Sequence, residues 1–207
     1  IKKDVEITIE ANPGTVTKEK LLAYRACGIN RISFGLQSAN NEELKLLGRI
    51  HTYEDFLESF HLARECGFDN INVDLISAIP KQTVASWEET LQSVIKLNPE
   101  HISAYSLIVE EGTPFYKLYE GDRLALPDED IEREMYYRTK DILKEAGFER
   151  YEISNYAKKG YECRHNIRYW VRQDYLGLGL GASSCIENTR YKNTEWLDEY
   201  LLENKYT

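Results

Sequence analysis

No stretch of the sequence approaches the roughly twenty apolar residues that cross a bilayer, and its first residues do not join positive charge to a hydrophobic run as a leader does. Both absences predict a cytoplasmic protein without a transmembrane segment. A surplus of positive charge is missing too: 26 Lys and Arg stand against 35 Asp and Glu, a formal net charge of -9. Phosphate backbones are bound by clustered cations, so a nucleic-acid partner is not expected. The four cysteines, Cys27, Cys66, Cys163 and Cys185, have neither CxxC nor CxxxCxxC spacing, which removes a metal or cluster site built from these thiols. Cys27 and Cys66 precede Gly28 and Gly67 at expected helix ends and read as small buried hydrophobes. A loose polar start is also absent. The chain enters a strand almost at once, so further chain is expected upstream of Ile1.

What is present is ordinary globular chemistry. At 207 residues, 42% hydrophobic and 29% charged, the chain is long enough for one full core, with room for an appendage. The organising stretch is NINVDLISAIPKQT, Asn70 to Thr83. Ile71, Val73 and Leu75 alternate with Asn72 and Asp74, which predicts a strand with Asp74 on its polar face. Val5, Ile7 and Ile9 alternate in the same way and end on Glu10. In RISFGLQSAN, Ile32, Phe34 and Leu36 form one face while Ser33, Gly35 and Gln37 form the other. A fourth strand is expected over HISAYSLIV, His101 to Val109.

Helices fall between these strands. Thr17 caps the first, Asn40 and Glu43 form a capping box for a short second, Thr52 opens a third, and Ser86 with Glu89 forms a box for a fourth. Strands alternating with helices predict a parallel α/β sheet. A sheet covered by helices on both sides would have almost continuously apolar strands; the repeated polar face here suits strands lining a barrel interior, where functional groups gather at the strands' C-terminal ends. Four βα units cannot close an eight-stranded barrel, so a partial barrel is expected. The stretch EEGTPFYKLYEGDRLALPDED then reads as a loop. Asp128 opens a long helix, FERYEISNYA is a strand, DYLGLGLGASS is a glycine-dense turn with a close backbone approach, and Trp196 begins a terminal helix. The boundary is placed so that 1–112 is the barrel part and 113–207 a smaller α+β part.

Glu10 and Asp74 on an interior rim suit either an acid/base pair or anchors for a ligand's hydroxyls, with a structural hydrogen-bond network as the plainer alternative. Arg49 is either a surface loop residue or a clamp for a carboxylate. Gly177 to Ser184 has the glycines of a dinucleotide loop but no convincing helix after it, so it is not a nucleotide fingerprint. His165 lies in RHNIRYW between Arg164 and Arg168, with Tyr169 and Trp170 beside it. A lone histidine is usually structural; in this company an imidazole could also ligate a porphyrin iron while arginines pair its propionates and the rings stack on it.

At these residues a resemblance becomes specific. ANPGTV, RISFGLQS, LGRIHT, NVDLISAIPKQT, AYSLIVEEGTPF and YEISNYAKKGYECRHNIRYW occur in order over nearly the whole chain. Together they resemble the oxygen-independent coproporphyrinogen III oxidase-like radical SAM proteins, most closely their haem chaperone branch. The resemblance implies a partial (β/α)6 TIM-like barrel, of which this chain holds the last four βα units, followed by the family's C-terminal domain. It implies that Glu10, Gln37, Arg49, Asp74 and Tyr105 contact S-adenosylmethionine and that His165 ligates haem iron. It also implies a [4Fe-4S] cluster, whose CxxxCxxC loop is absent here and is expected upstream. On this basis the expected function is haem binding and delivery to a recipient haemoprotein. The alternative is an enzyme that oxidatively decarboxylates porphyrinogen propionates by radical chemistry, and RHNIRYW favours the chaperone.

Overall fold

Alternation of apolar and polar side chains builds the sheet. In the computed structural model, which describes residues 4–121 and 124–203, β1 (Thr8–Ala11), β2 (Arg31–Gln37), β3 (Ile71–Ser77) and β4 (His101–Ser106) pair in parallel in that order. Successive side chains point to opposite faces. Ile32, Phe34, Leu36, Ile71, Val73, Leu75 and Ile102 are all completely buried on one face, each contributing roughly 1.5–3 kcal/mol relative to exposure in water. Against that face lie α1 (Lys18–Ala26), α3 (Tyr53–Glu65), α4 (Val84–Ile95) and α6 (Glu129–Glu145), while the shorter α2 (Asn41–Leu46) follows β2. Leu21, Phe56, Trp87, Met135 and Leu143 carry these helices into the single core cluster. Trp87 Nε1 also donates to Thr139 Oγ1 at 2.8 Å, tying α4 to α6 inside it. The protein is thus a mixed α/β structure with a parallel sheet and one helix-covered face, as the patterning predicts.

The helix starts follow from side chains that satisfy the first backbone N–H groups. Thr17 caps α1, and Asp128 caps α6 by accepting from Ile131 N at 2.8 Å. Two predicted boxes are corrected. The box of α4 is Thr83 with Ser86, three residues before the predicted one, since Thr83 Oγ1 accepts from Ser86 N and Ser86 Oγ accepts from Thr83 N. Asn40 does cap α2, accepting from Glu42 N at 2.9 Å. Glu43 does not reach back to it. Its buried carboxylate instead accepts from Ser38, Gln82 and Ser86, stitching the loops after β2 and β3 together.

Other departures have local causes. The predicted loop after β4 contains α5 (Pro114–Glu120), started by the Thr113 cap and a proline at its first turn; Asp122 and Arg123, in the same stretch, lie outside the described residues. FERYEISNYA is not one strand but two, β5 (Glu149–Arg150) and β6 (Asn155–Ala157), paired antiparallel. β6 runs antiparallel to β4, giving the sheet order β1-β2-β3-β4-β6-β5. Of the two thiols expected to be buried, Cys66 is and Cys27 is exposed.

Cα packing divides the chain into two compact units, Ile1–Glu162 and Cys163–Thr207. The segment 113–162, which sequence patterning groups with the C-terminal part, supplies α6, β5 and β6 to the first unit's core and sheet. The second unit contains α7 (Arg164–Trp170), the antiparallel pair β7 (Ser183–Ile186) and β8 (Thr189–Lys192), and α8 (Leu197–Glu203). RHNIRYW is therefore a helix. The glycine-dense turn makes the predicted close approach: a Cβ on Gly177 would stand 2.3 Å from Ser183 O.

Candidate functional site

The face of the sheet away from the helices is polar, and its C-terminal rim opens into a cavity of about 400 Å³ lined by Glu10, Gln37, Arg49, Asp74 and Tyr105, with Ile76 and Ser106–Ile108 alongside. Four of the five rim residues are the last polar side chains on that face of β1, β2, β3 and β4. That volume falls within the range of small-molecule sites. Two carboxylates, a guanidinium, an amide and a phenol around one cavity suit a ligand carrying both a carboxylate and cationic or hydroxyl groups.

Gln37 reaches the rim by an irregular path. The β2–β3 register runs Gly35 to Asp74 and then Gln37 to Leu75, so Leu36 is an extra residue and the strand bulges. Gln37 has φ of 75°, a left-handed conformation costly for a residue with a Cβ. Its side chain lies over Gly35, where an added Cβ would stand 2.9 Å from Gln37 Nε2. Glycine at 35 is what lets the amide fold back over the strand.

Arg49 is placed by the end of α2. Gly48 adopts φ of 69°, its N–H bonds Lys45 O, and Arg49 N–H bonds Leu44 O at 2.9 Å, a glycine-dependent helix stop that turns the chain sharply. Arg49 is consequently half-buried against the cavity while Ile50 is 99% exposed. His51 Nε2 lies 3.1 Å from Leu36 O, anchoring this loop to the bulge. For Tyr105, partial burial raises the phenol above its ordinary pKa; the Asp74 carboxylate adds to this and a hydrogen bond with Ser103 opposes it.

Beneath the rim lies a layer that patterning had not marked as functional. Asp74 Oδ2 accepts from Ser33 Oγ at 2.9 Å and Oδ1 accepts from Asn72 Nδ2 at 2.8 Å. Asn72 Oδ1 lies 2.5 Å from His101 Nδ1, and His101 Nε2 lies 2.8 Å from the Tyr151 hydroxyl. Ser33, Asn72 and His101 are all buried. Burial, with the Arg31 guanidinium second, pushes the His101 pKa down to about 3. The visible signal was a polar residue at every second strand position; which of them touch required the register.

His165 belongs to the second unit and is exposed on α7, a helix that buries none of its residues. Its ring meets Tyr169 edge-on at 4.8 Å, and Tyr169 meets Tyr175 at 4.4 Å. Trp170 is also largely exposed. An accessible imidazole beside aromatic rings and Arg164 and Arg168 has the donors a porphyrin iron and its propionates use. A [4Fe-4S] cluster does not fit the residues present: the four cysteines are dispersed, and among the described residues no group of three His, Cys, Asp or Glu could hold a metal. Nor, among those residues, is any helix long and apolar enough to cross a membrane.

Comparison with known proteins covers both units. Residues 1–94 match the model of the Radical SAM superfamily. The chain is 41% identical over 196 residues to the haem chaperone HemW of Bacillus subtilis, covering 95% of this chain and 52% of that protein. It is 42% identical over 180 residues to HemW of Escherichia coli, covering 86% and 46%. Among solved structures, coproporphyrinogen III oxidase (HemN) from Escherichia coli, described as a radical SAM enzyme, superimposes with a TM-score of 0.80 at 26% identity, covering 99% of this chain and 50% of that one. The chain thus spans about half the length of the curated relatives it matches.

Proposed function

The chain carries a radical SAM domain and is a homologue of the HemW haem chaperones over most of its length, and from that kinship we propose that it is part of a haem chaperone, binding S-adenosylmethionine in the rim cavity and haem through His165. Haem is the cargo, passed to a recipient haemoprotein, and the setting is cytoplasmic. The observation that carries this reading is the extent of the HemW match. At 95% of the chain it runs well past the radical SAM segment and through Arg164–Trp170, so the likeness includes the helix that bears His165.

In the rim cavity, Arg49 is suited to the carboxylate of S-adenosylmethionine, while Glu10 and Asp74 offer acceptors for its ammonium and ribose hydroxyls. The chain holds no ligand set for the cluster among its described residues, so no radical step is assigned to it. Binding and orientation are what these residues supply. The oxidase reading shares the barrel with HemN; what separates the two is the exposed histidine with its aromatic neighbours, chemistry for holding a porphyrin iron rather than for reacting with an iron-free porphyrinogen.

The test is a haem titration of the full-length protein, followed in the Soret band. Wild type should develop a ligated-haem band that His165→Ala lacks, and an unchanged band in the variant would take His165 out of the ligand role. Conversion of coproporphyrinogen III to protoporphyrinogen IX by the reconstituted full-length protein would overturn the chaperone reading in favour of the oxidase.

A further inference from the structure

The layer under the cavity is a line of hydrogen bonds whose direction is fixed at every step. Asn72 Nδ2 faces both Asp74 Oδ1 at 2.8 Å and Ser33 Oγ at 2.7 Å. Exchanging the amide's nitrogen and oxygen would set its oxygen against the carboxylate, so the carboxylate decides the orientation. Asn72 Oδ1 must then accept, and it does so from Ser103 Oγ at 3.1 Å and His101 Nδ1 at 2.5 Å. His101 therefore carries its proton on Nδ1, and Nε2 accepts from the Tyr151 hydroxyl at 2.8 Å. Ser33 Oγ, having accepted from Asn72, donates its own proton to Asp74 Oδ2 at 2.9 Å. The line runs from the β5–β6 turn, across β4, β3 and β2, to a carboxylate on the cavity wall.

Burial makes this arrangement stiff. His101 is fully buried, Asn72 is 2% exposed and Ser33 6%, and in such surroundings a satisfied network strengthens its own bonds whereas a broken one leaves an unpaired polar group. Both oxygens of Asp74 are gripped from below, one by Ser33 and one by Asn72. Each oxygen keeps lone-pair capacity for the cavity. A core needing only apolar packing has no use for this, since replacing both partners of a buried pair with apolar groups is often neutral.

We propose that Ser33 and Asn72 are positioning residues that hold the Asp74 carboxylate for its ligand, and that His101 and Tyr151 in turn hold Asn72. This rests on the reading of the rim cavity as the S-adenosylmethionine site. It gives Tyr151, outside the cavity lining, a part in ligand affinity.

The experiment measures S-adenosylmethionine binding to the full-length protein by calorimetry, with Ser33→Ala and Tyr151→Phe each made alone and on an Asp74→Ala background, alongside thermal melts. Asp74→Ala should weaken binding at least about tenfold, Ser33→Ala about three- to tenfold and Tyr151→Phe at least about twofold. On the Asp74→Ala background neither should weaken it further, because the group being positioned is gone. Equal weakening on both backgrounds would show that the substitutions act by loosening the fold, and would overturn the proposal. So would wild-type affinity in Ser33→Ala and Tyr151→Phe when Asp74→Ala loses binding. Undiminished affinity in Asp74→Ala itself is a different failure, removing Asp74 from the site and the proposal with it. Tyr151→Phe removes one oxygen at the far end of the line and keeps the aromatic ring, so it reports even if Ser33→Ala folds poorly.

Discussion

Acidification should cost the first unit stability through His101. Its pKa is about 3 in the folded protein against an ordinary 6.5, because burial and then Arg31 disfavour the imidazolium. Between those values the unfolded chain binds a proton that the folded chain refuses. The contribution is therefore fully present above about pH 6.5 and is lost as pH falls from there toward 3. The slope is about 1.4 kcal/mol per pH unit for one proton, so moving from pH 6.5 to 5 removes about 2 kcal/mol. Urea unfolding at several pH values, followed through the emission of Trp87 in the core on a Trp170→Phe, Trp196→Phe background, measures this. His101→Gln keeps an N–H donor for Asn72 and cannot titrate. Its plot of unfolding free energy against pH should be shallower than wild type by about one proton over this window. His51, His61 and His165 are common to both proteins and cancel in the comparison. Parallel plots would refute the argument, showing that His101 accepts its proton in the folded state as readily as in the unfolded one.

Two further substitutions probe the local structure. Thr83→Ala should lower unfolding stability by about 1 kcal/mol through loss of the α4 cap, whereas Glu89→Ala, at an exposed position outside the box, should stay within about 0.5 kcal/mol of wild type; a larger effect at Glu89 would restore the box predicted from the sequence. Gly177→Ala would drive a methyl group to 2.3 Å from Ser183 O and is expected to abolish hydrogen-exchange protection at the Tyr175–Cys185 bridge, whose two backbone bonds are each 2.9 Å long. Retained protection would mean that the turn can reshape without cost.

Periodicity located the four parallel strands, although β1 begins at Thr8 rather than near Val5 and β4 ends at Ser106 rather than Val109. The signal is strongest in β3: Ile71, Val73 and Leu75 are buried where alternation put them, and Asn72 and Asp74 lie on the opposite face. It did not find the hairpin in FERYEISNYA, since two strands of two and three residues are too short to show a period. The α5 helix was missed through its flanking turn residues, although Thr113 and Pro114 are a legible start. Among the rim residues, Glu10 and Asp74 followed from strand ends, whereas Tyr105 came with the resemblance. Gln37 was marked by simple alternation, yet a bulge and a left-handed residue intervene before it lines the cavity. Arg49 needed the resemblance, because nothing in a loop's own pattern says which way it turns. The floor of Ser33, Asn72 and His101 was visible as polarity but not as a network, which depends on contacts between residues about thirty to forty positions apart.

The order β1-β2-β3-β4-β6-β5 also gives the sheet two unlike borders. At one border β5 is two residues long and carries Glu149 and Arg150, both exposed, so it offers little template for another strand. At the other, β1 is four residues long, lies parallel to its neighbour and, among the described residues, has no partner along its outer side. Growth of the sheet is therefore directional: a further strand can dock beside Thr8–Ala11 far more readily than beside β5. Glu10 sits on that open margin. Any strand that docks there lies next to Glu10 and so extends the sheet beside the cavity that Glu10 lines.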